Sequence, residues 1–281
     1  MIIYMYYIVM LVKVSHESPI SILQTSTLYN DFDYALVHLF ESHLKYYQYF
    51  KTAREIYNRE VLLDNSIFEL GHAFDSEKFL NAAIDLKPNM FIVPDVLENN
   101  TQTVTSFYRW IKDGLIQQIK DVCLTKAIGA VQGKTWQQLI DCYKFMSDNA
   151  DMIAISFDFS YYDYTGEGST QLDRWCSGRQ RFISQLIDKG IWNWDKPHHL
   201  LGCSLAKEFR YYVNHNIFNI VSCDTSNPIV AALHGMKYDA DFGLQSKPST
   251  KLADLIDHQV TKDEMEIIDY NTKMFKRILC R

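Results

Sequence analysis

The chain has 281 residues, enough for one large domain, and its 47% hydrophobic and 22% charged residues are typical of a folded globular protein. The formal net charge of −6 excludes a globally basic protein, so any nucleic acid would have to bind at a local patch. The six cysteines contain no C-x-x-C pair, so their spacing indicates no zinc site. We therefore expect free thiols in a reducing cytoplasm.

The first predicted element is a central strand over the apolar segment 1–12, which continues into Lys13 and Val14. This segment lacks the basic start and the small-residue cleavage site of a signal peptide, and it is too short to span a bilayer. Apolar residues at helical spacing then predict a helix over about 29–55. This stripe consists of Leu36, Leu39, Phe40 and Leu44.

Six short apolar runs follow, and each ends at a carboxylate, a carboxamide or a thiol. The end residues are Asp64, Asp95, Gln132, Asp158, Cys203 and Asp224. Apolar runs ahead of helical periodicity are typical of buried parallel strands. The helices predicted between and after them cover about 76–84, 101–111, 136–146 with Thr135 as the cap, 172–189, 226–235 and 262–278.

This alternation predicts an α/β fold with a parallel sheet. Seven strands can be counted, and an eighth has no clear place. An open doubly wound sheet is the alternative, but no G-x-G-x-x-G follows the first strand. We therefore predict a (β/α)8 TIM-like barrel that forms a single domain over 1–281, with a C-terminal helix and a catalytic core over about 60–235.

The acids at the strand ends are the best indication of an enzyme. In a closed parallel barrel the carboxyl ends of the strands converge on one face, where chemistry takes place. An Asp after a strand is also a common helix cap or turn residue, and Asp158 is the weakest candidate because it opens a long loop. Cys203 and Cys223 are expected to be small buried residues rather than nucleophiles.

Four segments resemble tRNA-guanine transglycosylases in order and spacing over about 60–235. Residues 63–70, Leu-Asp-Asn-Ser-Ile-Phe-Glu-Leu, resemble T-D-S-G-G-F-Q, and residues 129–133, Gly-Ala-Val-Gln-Gly, resemble G-I-V-Q-G-G. Residues 199–202 resemble the strand with M-G-V-G, and residues 222–228 loosely resemble D-C-V-x-P-T-R. The V-Q-G piece is the most specific. Because the zinc motif C-x-C-x-x-C is absent, the chain looks closer to the phage and bacterial DNA 7-deazaguanine transglycosylases, which would place it in a host cytoplasm if it is phage-encoded.

The resemblance implies a role for each strand-end residue. Asp224 would be the nucleophile at the sugar C1′, and Asp64 the general acid and base. Asp95 would hold the Watson–Crick edge of the base. The remaining pocket residues implied are Gln132, Gly133, Gly202, Ser66 and Phe68. Ile67 or Phe68 stands where the family has its second glycine, which implies a base pocket of different shape.

The chemistry of these residue types is compatible with base exchange. Displacing a base without net hydrolysis requires a carboxylate that holds the sugar covalently, as in a retaining glycosidase. A second carboxyl group protonates the leaving base and deprotonates the incoming one. A third acid can pair with N1–H and the exocyclic amine of guanine, and a carboxamide supplies both a donor and an acceptor.

The expected partners are DNA and a free 7-deazaguanine base, with no cofactor, no metal and no membrane contact; a homodimer is compatible with the sequence. The nearest alternative is the same reaction on tRNA. A second is a noncatalytic nucleic-acid-binding subunit, and a third is a metal-dependent barrel hydrolase. The hydrolase would need His clusters at strand ends, whereas His198 and His199 start a strand.

Two groups of cations are candidates for phosphate contact. The first follows the aromatic loop that contains Tyr161, Tyr162, Tyr164 and Trp175, and it comprises Arg174, Arg179 and Arg181. The second is the C-terminal group Lys273, Lys276, Arg277 and Arg281. A barrel loop whose aromatics cover the core, and a solvated helix face, are the respective alternatives.

Overall fold

Eight parallel strands form a nearly closed barrel in this computed structural model, which describes residues 12–157, 160–240, 243–244, 248 and 250–279. The strands are β1 (Lys13–His16), β2 (Asp33–Leu36), β3 (Val61–Asp64), β4 (Met90–Ile92), β5 (Lys126–Val131), β6 (Met152–Ile155), β7 (His198–Leu200) and β8 (Ile220–Thr225). Their order in the sheet is β1-β8-β7-β6-β5-β4-β3-β2. The prediction of a single-domain (β/α)8 TIM-like barrel is confirmed.

The barrel closes between β1 and β2 through loop residues that stand in for a strand. The Asp31 N–H donates to the Val14 carbonyl at 2.9 Å, and the Asp31 carboxylate accepts from the Val14 N–H at 2.9 Å. The Asn30 side chain accepts from the His16 N–H at 2.7 Å. These bonds satisfy the backbone of β1 on the side where the regular ladder is interrupted.

Helices surround the barrel. They are α1 (Leu23–Ser26), α2 (Leu39–Ser42), α3 (Leu44–Glu55), α4 (Ile67–Leu70), α5 (Ser76–Leu86), α6 (Asn100–Lys112), α7 (Leu115–Val122), α8 (Trp136–Asn149), α9 (Ser160–Thr165), α10 (Gln171–Asp188), α11 (Glu208–Asn214), α12 (Asn227–Leu233) and α13 (Lys262–Leu279). Two 3-10 turns cover Ile20–Ile22 and Leu252–Leu255. None of the helices in the described ranges is long and apolar enough to cross a bilayer.

The layer between strands and helices is apolar and aromatic. Phe91 of β4 lies 6.4 Å from Phe79 of α5, whose ring lies 5.7 Å from Trp110 of α6, between centroids. Thr135 caps α8 as predicted, because its side chain accepts from the Gln138 N–H at 3.3 Å. Burial of these outward faces holds the helices on the barrel and leaves the strand ends free to present polar groups.

Two predictions about the first third of the chain were wrong. Residues 33–36 form β2, the strand that the sequence did not place, rather than part of a helix over 29–55. The run Phe32–Val37 is buried without interruption, as in a strand covered on both faces, and the helical spacing of Leu36 from Leu39 and Phe40 was coincidental. Leu44, assigned to the buried stripe, is 65% exposed. The predicted strand over 1–12 lies almost wholly outside the described residues; the structure places β1 at Lys13–His16.

Candidate active site at the carboxyl ends of the strands

The four strongest site predictions all lie at the carboxyl ends of neighbouring or facing strands. Asp64 is the last residue of β3, and Asp224 is the fifth residue of β8. Asp95 and Gln132 follow β4 and β5. All four are buried: Asp64 is 7% exposed, Asp95 and Asp224 3%, and Gln132 1%. Asp158, the weakest prediction, lies outside the described residues.

Asp224 is held by three hydrogen bonds from two neighbours. The Gly202 N–H donates to both carboxylate oxygens at 3.1 Å, and His199 Nε2 lies 2.9 Å from Oδ1. Gly202 follows β7 with φ +61°, a conformation that favours glycine and turns its N–H toward Asp224. The resemblance implied that Gly202 lines the base pocket, and its N–H positions the candidate nucleophile at that place.

His199 is a site residue that the sequence reasoning missed. The strand β7 has only three residues, so His199, in its middle, still reaches the carboxyl end of β8. Its other ring nitrogen, Nδ1, lies 2.8 Å from the Ser222 hydroxyl. The Tyr34 ring stacks near it, with centroids 6.3 Å apart and planes inclined by 12°. Because β2 and β7 are not neighbours in the sheet, this contact crosses the barrel interior.

Asp64 sits in an environment that favours its protonated form. Burial raises the pKa of this carboxyl well above its ordinary value, and the charges of Glu69 and Asp224 raise it further. Hydrogen bonds from the Ser66 N–H, at 2.6 Å, and from the Tyr34 hydroxyl act in the opposite direction. Tyr34 links the two acids, because its hydroxyl bonds to Asp64 and its ring stacks near His199, the partner of Asp224. A protonated Asp64 can serve as a general acid.

The Asp95 carboxylate accepts hydrogen bonds from two carboxamide side chains. Asn65 Nδ2 donates to one oxygen at 2.7 Å, and Gln132 Nε2 donates to the other at 2.6 Å. Gln132 in turn accepts from the Glu98 N–H at 2.8 Å. Burial raises the pKa of Asp95, and the two carboxamide bonds oppose that rise. Asn65 was not singled out from the sequence, although it follows Asp64 directly in the transglycosylase-like segment.

The other predicted pocket residues lie around this group. Ser66 is fully buried at φ +60°, where its N–H reaches Asp64. Phe68 is 44% exposed, and the Lys251 ammonium lies 4.6 Å from its ring centroid. Gly133 packs against the start of α8, where an added Cβ would lie 2.9 Å from Gln138 and the Leu139 nitrogen. Gly133 therefore serves helix packing as well as the turn after β5.

The prediction that Arg179 contacts nucleic acid was wrong. Arg179 is fully buried and forms a two-point ion pair with Glu208, with both N–O distances 2.7 Å. Its Nη1 donates to the carbonyls of Ile155 and Leu201, and its guanidinium lies 4.7 Å from the Phe157 ring centroid. These partners use its donors inside the protein, so a phosphate cannot reach it without unfolding this region.

The other cations of the aromatic loop remain accessible in part. Arg174 donates to Asp163 at 2.7 Å, whereas Arg181 is exposed and donates to the Thr165 carbonyl at 3.1 Å. Tyr164 lies on α9 between Asp163 and Thr165, the partners of these two arginines, and is 90% exposed. An exposed ring beside cations is the arrangement that stacks a base and contacts its phosphate. Tyr162 is fully buried and belongs to the core.

The C-terminal cations lie on α13. Lys273 pairs with Asp269 at 2.6 Å, and Lys276 pairs with Asp31 at 2.8 Å. Arg277 is exposed. Arg281 lies outside the described residues. Since two of these cations already neutralise acids, this face is weaker as a phosphate-binding patch than the sequence suggested.

Comparison with known proteins identifies no family for this chain. No family model matches it, and no curated protein matches it.

Proposed function

We propose that this protein exchanges guanine in DNA for a 7-deazaguanine base through a covalent ester between Asp224 and the sugar. The observation that carries the proposal is that two carboxyl groups in different environments lie at the carboxyl ends of the barrel strands, with Tyr34 bonded to Asp64 and stacked near the His199 partner of Asp224. Asp64 is driven toward its protonated form, whereas Asp224 accepts three hydrogen bonds. Retaining glycosyl transfer needs this division between an acid and a nucleophile.

In the first half of the reaction a carboxylate oxygen of Asp224 attacks C1′ of the target nucleotide. The C1′–N9 bond breaks, its electron pair stays on N9, and Asp64 supplies the proton that N9 takes up. The second half is the reverse with a different base. The incoming N9 attacks C1′ and passes its proton to Asp64, and the C1′–O bond returns its electron pair to Asp224.

Asp95 supplies the recognition of the base, and Gln132 and Asn65 hold its carboxylate. Each oxygen of Asp95 accepts one carboxamide hydrogen bond and keeps a second lone-pair site. Those sites suit the two adjacent donors of guanine, N1–H and the 2-amino group, which 7-deazaguanines share. The Asn65 and Gln132 carboxamides hold the carboxylate in one plane, so the base would meet a preformed acceptor pair.

Two features of the structure concern how a base in a nucleic acid would reach the acids. The acids are only 3–7% exposed, so a base reaches them only by displacing the side chains that now cover them. A base in a duplex must also leave its stack, and exposed Tyr164 beside Arg181 offers a surface for that step. DNA is proposed over tRNA because the printed sequence contains no C-x-C-x-x-C motif like that of the tRNA enzymes.

The test is incorporation of isotopically labelled guanine into polymer. Purified protein is incubated with labelled guanine and duplex DNA, single-stranded DNA or tRNA, and nucleosides are analysed by mass spectrometry. We expect label in deoxyguanosine with wild-type protein and none with Asp224→Asn. Asp141→Asn, on the exposed face of α8, is the matched control and should retain exchange. Label in tRNA alone would transfer the same chemistry to tRNA, and label in no polymer would reject the proposal.

A further inference from the structure

A buried polar chain inside the barrel ends on the candidate nucleophile. Ser222 Oγ lies 2.8 Å from His199 Nδ1, and His199 Nε2 lies 2.9 Å from Asp224 Oδ1. His199 is fully buried, and Tyr34 stacks near its ring. A buried imidazole with both nitrogens engaged has one fixed orientation. This network of hydrogen bonds therefore acts on Asp224 through the rigid imidazole of His199 rather than through solvent.

The direction of the hydrogen bond to Asp224 follows from the partners. The proposed nucleophile is an ionised carboxylate, which can only accept, so the proposed reaction places the proton between the two groups on His199 Nε2. The Ser222 hydroxyl can donate to Nδ1 or accept from it, and it fits either state of the ring. Ser222 thereby fixes the ring so that Nε2–H points at Oδ1.

The two oxygens of Asp224 are consequently not equivalent. Oδ1 accepts from both His199 and the Gly202 N–H, whereas Oδ2 accepts from the Gly202 N–H alone. Oδ2 keeps the more available electron pair and is the oxygen suited to bond to C1′. Oδ1 then becomes the carbonyl oxygen of the ester and keeps His199 as its donor.

We propose that His199 is a positioning residue for Asp224 and that it speeds the second half of the exchange, in which the carboxylate leaves the sugar. This inference rests on the proposed function. Hydrogen bonds to a charged acceptor are stronger than those to a neutral one. The Nε2–H bond therefore stabilises the free carboxylate more than the ester. Its loss slows departure of Asp224 from C1′ and lets the covalent intermediate accumulate.

The decisive comparison is between two substitutions of His199. His199→Phe fills the same volume and keeps the stacking with Tyr34, but it has no N–H. His199→Gln can place an amide N–H near the position of Nε2. The fraction of protein covalently attached to labelled DNA is measured on denaturing gels, together with the lifetime of the adduct after addition of excess base. The control is His198→Gln, because His198 faces Tyr143 and Trp192 rather than Asp224.

We expect the ratio of adduct to free protein to rise about tenfold in His199→Phe, which corresponds to 1.36 kcal/mol. His199→Gln and His198→Gln should stay close to wild type, and Ser222→Ala should give a smaller rise than His199→Phe. A purely structural role would slow formation and breakdown of the adduct together. An unchanged or lower adduct fraction in His199→Phe would therefore overturn the inference, and so would a rise in His199→Gln as large as that in His199→Phe.

A second measurement separates this inference from the proposed function. Nitrogen NMR of selectively labelled histidine in the wild-type protein reports whether His199 Nε2 carries a proton. We expect an Nε2–H signal that shifts in Asp224→Asn, and an unprotonated Nε2 would overturn the positioning role. If the signal behaves as expected but wild-type protein forms no adduct with any polymer, the proposed function fails and the geometry of the network stands.

Discussion

Removal of Arg179 should destabilise the fold far more than removal of any exposed arginine. The side chain makes two hydrogen bonds to Glu208 and two to the carbonyls of Ile155 and Leu201, all inside the protein. Arg179→Met would leave Glu208 buried with the Tyr212 hydroxyl, at 2.6 Å, as its remaining strong donor. Breaking a buried ion pair from one side costs about 3–5 kcal/mol.

For a chain of this size that loss corresponds to a fall in melting temperature of roughly 6–20 °C, at about 2–4 °C per kcal/mol. The assay is urea and thermal unfolding followed by circular dichroism. Arg181→Met, two residues along the same helix and exposed, is the matched control and should change the free energy of unfolding by about 0.5 kcal/mol or less. Arg179→Met combined with Glu208→Leu should recover most of the loss, because no unpaired charge remains. A fall in stability no larger than that of Arg181→Met would refute the reasoning.

Three further predictions concern the acids and the loop. Burial raises the pKa of Asp64 in the folded state. The protonated carboxyl group therefore makes its full contribution to stability below the unfolded pKa of about 3.9, and this contribution is lost as pH rises through the folded pKa. The free energy of unfolding of wild type relative to Asp64→Asn should thus fall as pH rises from about 4, and a difference independent of pH would contradict the burial of this acid. Asp95→Ala should weaken binding of the free base by about 10- to 100-fold in calorimetry and leave DNA affinity nearly unchanged, since it removes one or two charge-assisted hydrogen bonds; equal losses would make Asp95 a structural residue. Charge reversal at both Arg174 and Arg181 removes two phosphate contacts, so the plot of log affinity against log salt should become less steep by roughly 1.4–1.8 units. An unchanged slope would mean that the polymer binds elsewhere on the protein.

The strand ends were predictable because their signal is local. A buried apolar run that stops at Asp64 or Asp224 indicates both the strand and its carboxyl end, and closure of the barrel brings those ends to one face. The fold class follows from the same alternation.

What the sequence could not show depends on partners far away in the chain. Leu36 happens to lie at helical spacing from Leu39 and Phe40, and only pairing with β3 makes residues 33–36 a strand. Arg179 lies among aromatic and polar residues typical of a binding loop, but Glu208, 29 residues on, determines its burial. His199 appeared to start a strand, and the shortness of β7 brings it within reach of Asp224.

The most direct test of the account is the identity of the atom that holds the sugar. Wild-type protein is incubated with DNA in the absence of an incoming base, quenched in acid and digested, and its peptides are analysed by tandem mass spectrometry. The account predicts a deoxyribosyl adduct on the peptide that contains Asp224, located on that carboxylate, and no adduct in Asp224→Asn. A sugar attached to another residue, or base exchange by Asp224→Asn, would contradict it.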